Sequence, residues 1–224
     1  MINVARFVFN PFKENTYVVW DQTQECVIID PGNNFDQENE SLVNFINNKG
    51  LKPVAMLATH GHYDHVCGVG FLKKTFGIPF GMSGNDQDVF STAAFDGARY
   101  RFKFKNESYE LDFSNQSTFR FGNTEFQIIP TPGHTVGHVC YFDAVSKIMF
   151  TGDTLFKESI GRTDLRGGDY EAIMDSILTK LLPLGGDVVF YSGHGPESTI
   201  SHEAMYNPFI TEVLQGGFNV NTEE

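Results

Sequence analysis

The chain is short of several things at once, and each shortage narrows what it can be. Its three cysteines, Cys26, Cys67 and Cys140, are odd in number and far apart. That spacing excludes a disulfide framework and fits a reducing compartment. No run of about 18 apolar residues exists to span a bilayer. The N-terminus lacks a charged stretch followed by an apolar core of about 7–15 residues, so no secretory signal is expected and the cytoplasm is the default location. Basic residues are scarce: 16 Lys and Arg face 28 Asp and Glu, a net charge of −12 over 224 residues. A surface this acidic repels nucleic acid and anionic membranes. There is no short repeat and no low-complexity tract.

What the chain has in quantity is phenylalanine, 22 in all, enough aromatic material for a sizeable core. Val4 to Asn10, Thr16 to Trp20 and Glu25 to Asp30 are short segments rich in Val, Ile and aromatics, separated by turn-formers, and predict a meander of strands. Ser41 to Asn48 reads as a helix, and Val54 to Ala58 as a buried strand. A second series of strands follows at Glu125 to Pro130, Val139 to Phe142, Lys147 to Thr151 and Asp187 to Ser192. Between the last two, Ile173, Ile177, Leu178 and Leu181 recur at helical spacing and predict one helix from about Tyr170 to Leu182. Strands then helices, twice over, fit two face-to-face sheets with helices outside. One domain is expected over residues 1–214, with a frayed polar tail over 215–224. Arg99 to Lys105 alternates cation and aromatic. It reads as an edge strand guarded by charge, or as a positive patch for an anionic substrate.

The organising stretch is Thr59-His60-Gly61-His62-Tyr63-Asp64-His65, directly after the Val54 to Ala58 strand. Gly61 allows a sharp turn, and Asp64 is placed to cap a helix from Val66 to Phe76. Three imidazoles and a carboxylate on one short corner suit a borderline metal such as zinc. Three later segments repeat the plan of strand, tight glycine turn and ligand: Pro132-Gly133-His134, Thr151-Gly152-Asp153 and Ser192-Gly193-His194. If those ends converge, His60, His62, Asp64, His65, His134, Asp153 and His194 meet. Two zinc ions need about four ligands each, and one shared carboxylate plus a bridging water completes both shells. Asp153 is the candidate for the shared group. Iron or manganese suits such His and Asp donors too.

These motifs resemble the metallo-β-lactamase superfamily, in order and context, over nearly the whole chain. The likeness includes the opening Pro11-Phe12-Lys13-Glu14-Asn15-Thr16-Tyr17 and the Asp30-Pro31-Gly32 strand end. It implies an α+β fold, a four-layer αββα sandwich with the metals at one edge. It also implies His60, His62 and His134 on one ion, Asp64, His65 and His194 on the other, and Asp153 between them. Gly152-Asp153-Thr154-Leu155-Phe156 and Gly161-Arg162-Thr163-Asp164 are similar to the short bacterial form of the glyoxalase II hydrolases. That branch implies cleavage of S-D-lactoylglutathione or a related hydroxyacyl thioester by a metal-bridging hydroxide, with Asp64 orienting it. Arg162 stands where the branch has a basic residue near glutathione; a structural pairing with Asp164 is the alternative. β-Lactamases of the superfamily commonly lack a histidine at the place of His65, so antibiotic hydrolysis is not expected. Thirty residues follow His194, too few for the helical domain that completes the glutathione pocket in longer relatives.

The alternatives are an iron persulfide dioxygenase using His60, His134 and Asp153, a lactonase or other ester hydrolase, and a tRNA-processing nuclease disfavoured by the charge. His138 is expected to hydrogen-bond within the fold or behind the ligands, His202 to sit at the surface, and Asp30 either to orient a ligand or to shape its turn. The cysteines are expected in the core.

Overall fold

The computed structural model describes residues 1–214 and Gly216, so the tail expected over 215–224 otherwise lies outside the described residues. In the first half, β1 (Asn3–Phe9), β2 (Glu14–Trp20) and β3 (Glu25–Ile29) form an antiparallel meander. β4 (Lys52–Leu57), β5 (Phe80–Met82) and β6 (Leu111–Asp112) extend the sheet in parallel from β3. In the second, β7 (Thr118–Phe121), β8 (Thr124–Pro130), β9 (Val139–Asp143) and β10 (Ile148–Gly152) alternate in direction. β11 (Leu155–Phe156) and β12 (Ser159–Ile160) make a small separate hairpin. β13 (Val189–Ser192) then pairs parallel to β10, and β14 (Ser198–Thr199) closes that sheet.

The alternation of side chains builds the layers, because successive residues of a strand face opposite ways. Val18, Cys26, Ile28 and Met56 lie in a cluster with Leu42 and Ile46 of α1 (Asp36–Lys49). The same cluster holds Val66 of α2 (Tyr63–Val66), Leu72 of α3 (Val69–Phe76), and Phe90 and Ala93 of α4 (Gln87–Ala98). Their chain neighbours Val19, Val27, Ile29 and Leu57 face the other way, onto Phe126, Ile128, Tyr141 and Phe150 of the second sheet. Cys140, Phe142, Met149 and Phe190 on its far side pack on Ile173 and Met174 of α5 (Tyr170–Asp175). Ile200 of α6 (Ile200–Tyr206) and Ile210 of α7 (Pro208–Leu214) complete that layer. The result is the expected αββα sandwich. No helix among the described residues is long and apolar enough to cross a membrane.

Three local expectations are corrected. The helix from Tyr170 to Leu182 is α only to Asp175, then π-helical over Ser176–Leu181 and 3₁₀ over Leu182–Leu184. Pro183 cannot donate to the carbonyl of Thr179, so the regular ladder gives way in the turn before it. Residues 99–105 form no strand; Phe102 is buried while Arg99, Arg101, Lys103 and Lys105 stay exposed. Asp64 lies inside α2, whose N-cap is His62.

Strand direction decides where the ligand turns fall. β8 and β10 both run antiparallel to β9, and β13 runs with β10, so the three C-terminal ends share one edge. β3 and β4 likewise run together. Hydrogen bonds across the seam bring both edges together: Asn15 N to Gly193 O at 2.8 Å and Val139 N to Thr59 O at 2.9 Å. Buried phenols also cross it, Tyr17 Oη donating to Ser192 O at 2.6 Å and Tyr141 Oη to Ala58 O at 2.7 Å. Tyr141→Phe keeps the ring and strands the Ala58 carbonyl, and should lower unfolding free energy by about 1–2 kcal/mol in urea titration. An unchanged midpoint and slope would remove this bond from the account.

Candidate metal centre

Each turn delivers one or more donors because its strand ends abruptly. The corner after β4 carries His60, His62, Asp64 and His65; the turns after β8, β10 and β13 carry His134, Asp153 and His194. Glycines leave the room. A Cβ on Gly193 would stand 2.2 Å from Asp153 Oδ1 and 2.7 Å from His65 Cε1, and Gly152 sits at φ 47° against Thr59.

All seven predicted ligands converge. His60, His62 and His134 present donor atoms within 4.8 Å of one another, as do Asp64, His65 and His194, and His60, His65 and Asp153 link the two groups. Asp153 Oδ1 lies 3.5 Å from His65 Nε2, while Oδ2 lies 3.6 Å from both His134 Nε2 and His194 Nε2. Asp64 Oδ2 is 3.5 Å from His194 Nε2. Five of the seven are buried; His62 and His194 are half-buried and open to solvent.

The surroundings fix which ring nitrogen faces inward. His134 Nδ1 donates to Arg162 O at 2.8 Å, and His194 Nδ1 donates to Phe12 O at 3.1 Å, so each leaves an Nε2 lone pair toward the cluster. His60 Nδ1 is taken by Thr59 Oγ1 at 3.0 Å. His65 Nδ1 is 3.2 Å from Asp30 Oδ2, and Asp30 also accepts from Thr59 N at 2.6 Å. Asp30, for which the sequence left two alternatives, shows the features of each: a turn at φ 49° and a carboxylate facing His65. His138 supports the centre as expected, accepting from Asp153 N at 3.1 Å. His202 lies away from it, against Glu158 at 2.9 Å. The three cysteines are buried and free.

The donor set fits cations. His60 Nε2, His65 Nε2 and Asp153 Oδ1 are buried without a hydrogen-bond partner. His62 Nδ1 and His134 Nε2 meet at 2.9 Å, and with the proton of His134 committed to Nδ1 only His62 can donate between them; a cation would take both nitrogens. Zinc bound to nitrogen at about 2.0–2.1 Å in tetrahedral geometry holds two such atoms about 3.3 Å apart. Electrostatics agree. Burial, then the neighbouring imidazoles, push His60 well below its ordinary range and His62 down to about 4, keeping both neutral. Against its burial, Asp153 is held far below the usual carboxylate range by His65 and His194. Asp64 is lowered against its burial by His65, then His194. Despite burial, His65 and His194 are raised, chiefly by Asp153.

Two supporting carboxyls escaped the sequence reading. Asp86 is buried and accepts from Gly61 N at 2.6 Å and Gly137 N at 2.9 Å, tying the His60 corner to the His134 turn. Its signal was present: it follows β5 by the same strand, glycine and ligand plan. Glu14 is fully buried behind His65, and burial raises its carboxyl well above the ordinary range, so it stays protonated. Nothing in the sequence distinguishes it from an exposed hairpin glutamate. Arg162 forms the bidentate pair with Asp164, at 2.7 Å twice, and contributes its carbonyl to His134.

The profile of the metallo-beta-lactamase superfamily matches residues 9–194. The chain is 37% identical over 213 residues to hydroxyacylglutathione hydrolase GloC of Haemophilus influenzae, covering 93% of this chain and 98% of the relative. The crystal structure of BLEG-1, a B3 metallo-beta-lactamase, superposes with a TM-score of 0.86 at 34% identity, covering 94% of this chain and 100% of that one. TTHA1623 in a di-iron-bound form superposes with a TM-score of 0.82 at 33% identity, covering 92% and 100%.

Raised values at His65 and His194 mean that the metal-free chain keeps protons there at about pH 6, below the ordinary histidine value of about 6.5. A cation takes those lone pairs, so loading should release protons, and affinity should climb with pH until both imidazoles are neutral. Calorimetry of zinc binding to stripped protein at about pH 6, in two buffers of different ionisation enthalpy, should give different heats. Equal heats would contradict the assignment of these two histidines.

Proposed function

The chain belongs to the metallo-beta-lactamase superfamily, and on that premise we propose that it hydrolyses S-D-lactoylglutathione or a related hydroxyacyl thioester with two divalent cations, zinc foremost. That it is a metallo-hydrolase rests on its family and relatives; the substrate and the ligand roles are the proposal. Asp153 carries the reading, because its two oxygens face different histidines of one buried cluster. The relative named hydroxyacylglutathione hydrolase supports the thioester.

His60, His62 and His134 would hold one cation and Asp64, His65 and His194 the other, with Asp153 shared between them. Bound there, the cations supply Lewis acidity and lower the pKa of a water from 15.7 to about 7. The chain supplies orientation. Arg162 O and Phe12 O keep His134 and His194 in the ligating tautomer. Asp64 stays ionised and offers its carboxylate at the cleft, where besides holding a cation it would orient the attacking hydroxide. Phe12, Phe156, Ile160 and Leu165 line the same cleft, of about 350 Å³, and exclude bulk water from the acyl group. A thiol of ordinary pKa, about 8.5, departs as thiolate, so no strong acid is needed.

A second reading has a specific observation behind it: the neighbour named a B3 metallo-beta-lactamase favours β-lactam hydrolysis at the same centre. A single-iron centre built on His60, His134 and Asp153 is less favoured. It would leave Asp64, His65 and His194 clustered with no ion to share.

The purified chain should hydrolyse S-D-lactoylglutathione with kcat/KM of about 10⁴ M⁻¹s⁻¹ or more, and a cephalosporin far more slowly. Asp153→Ala should lose bound metal and more than about 10³-fold in rate. Faster cephalosporin turnover would favour the second reading, and an active, fully metal-loaded Asp153→Ala protein would overturn the shared carboxylate.

A further inference from the structure

Beside the cleft lies a second cavity of about 250 Å³, sharing His62, Tyr63, Arg162 and Leu165 with it as common walls. Val89 and Ala93 of α4 give it an apolar, buried floor. The rings of Tyr63 and Tyr100 stack beside it at 5.7 Å and 18°.

The charges around this cavity are unevenly satisfied. Arg162 is paired with Asp164, and Arg166 lies 3.8 Å from Asp88. Asp96 and Arg99 are different. Among the described residues Asp96 has no side-chain hydrogen bond or ion pair, and Arg99 rests only on the exposed ring of Phe95 at 5.3 Å. They stand three residues apart at the end of α4, a spacing that puts both on one face, and both line the cavity. The cation-rich segment is thus divided: Lys103 and Lys105 line a separate groove with Asp36 and Glu107, while Arg99 and Tyr100 serve this cavity.

A free carboxylate and a free guanidinium at one cavity complement a ligand end that carries both signs. We propose that this cavity binds the α-amino-carboxylate head of the substrate's thiol arm, Arg99 taking the carboxylate and Asp96 the ammonium. The assignment rests on the thioester reading of the neighbouring centre and deepens it. Its size, below the range of about 300–1,000 Å³ of drug-sized sites, suits the end of a short peptide-like arm.

The test compares the parent with Arg99→Gln and Asp96→Asn, each checked for parental metal content and thermal midpoint. The substrates are lactoyl thioesters of glutathione, of N-acetylglutathione, whose amine is blocked, and of N-acetylcysteamine, which carries neither charge. Both variants should lose about tenfold in kcat/KM on the glutathione thioester, mainly through KM. Asp96→Asn should cost nothing on the N-acetylglutathione thioester, and neither variant should cost anything on the neutral one. Equal losses on all three, or none on the first, would overturn the assignment. Calorimetric binding of S-methylglutathione to the metal-loaded proteins separates this from the hydrolase reading. About tenfold weaker binding by both variants, with no thioester turned over by the parent, would sink the hydrolase and keep the cavity. Turnover by the parent with unchanged binding in the variants would do the reverse.

Discussion

A buried cluster of imidazoles and carboxylates whose hydrogen bonds the fold leaves incomplete is the constraint on which this structure turns. Of the seven buried side-chain atoms without a hydrogen-bond partner among the described residues, three lie in this cluster: His60 Nε2, His65 Nε2 and Asp153 Oδ1. A buried polar atom without a partner costs on the order of 1–3 kcal/mol. A chain carrying several in one place must either bind something there or lose much of its margin of stability, about 5–15 kcal/mol for an ordinary domain. Cations remove the penalty, because each takes several lone pairs at once.

The scaffold is arranged to keep those atoms together before anything binds. Two sheets meet at the edge where five strands end, and backbone hydrogen bonds across the seam set their relative position. Asp30 holds the Thr59 backbone, Asp86 ties two ligand turns, and His138 receives the Asp153 amide. Main-chain carbonyls of Phe12 and Arg162 select tautomers. None of these groups need touch a substrate. Their work is to hold the donors together in a cluster that fits two ions.

Much of this was legible in the chain. Strands buried on both faces read as continuous apolar runs, and pairs such as Val18 and Val19, or Ile28 and Ile29, divide between the two cores as the period of two requires. The four ligand turns stood out because strand, glycine and donor recur in the same order. The unread parts depend on contacts distant in sequence. Glu14 looks like any hairpin acid until β2 carries it behind His65. Arg99 differs from Lys103 only by which side of a folded loop it occupies. The π-helical stretch after Asp175 needs Pro183 and the packing on β9 and β10 together, which a helical period alone does not reveal.

The central claim is that two ions share Asp153. Anomalous diffraction from crystals of the zinc-loaded protein tests it most directly. The account predicts two peaks about 3.5–4 Å apart, one among His60, His62 and His134 and one among Asp64, His65 and His194, with a carboxylate oxygen of Asp153 at each. A single peak, or a second one lying instead among Glu14, Asp30 and His65, would contradict it.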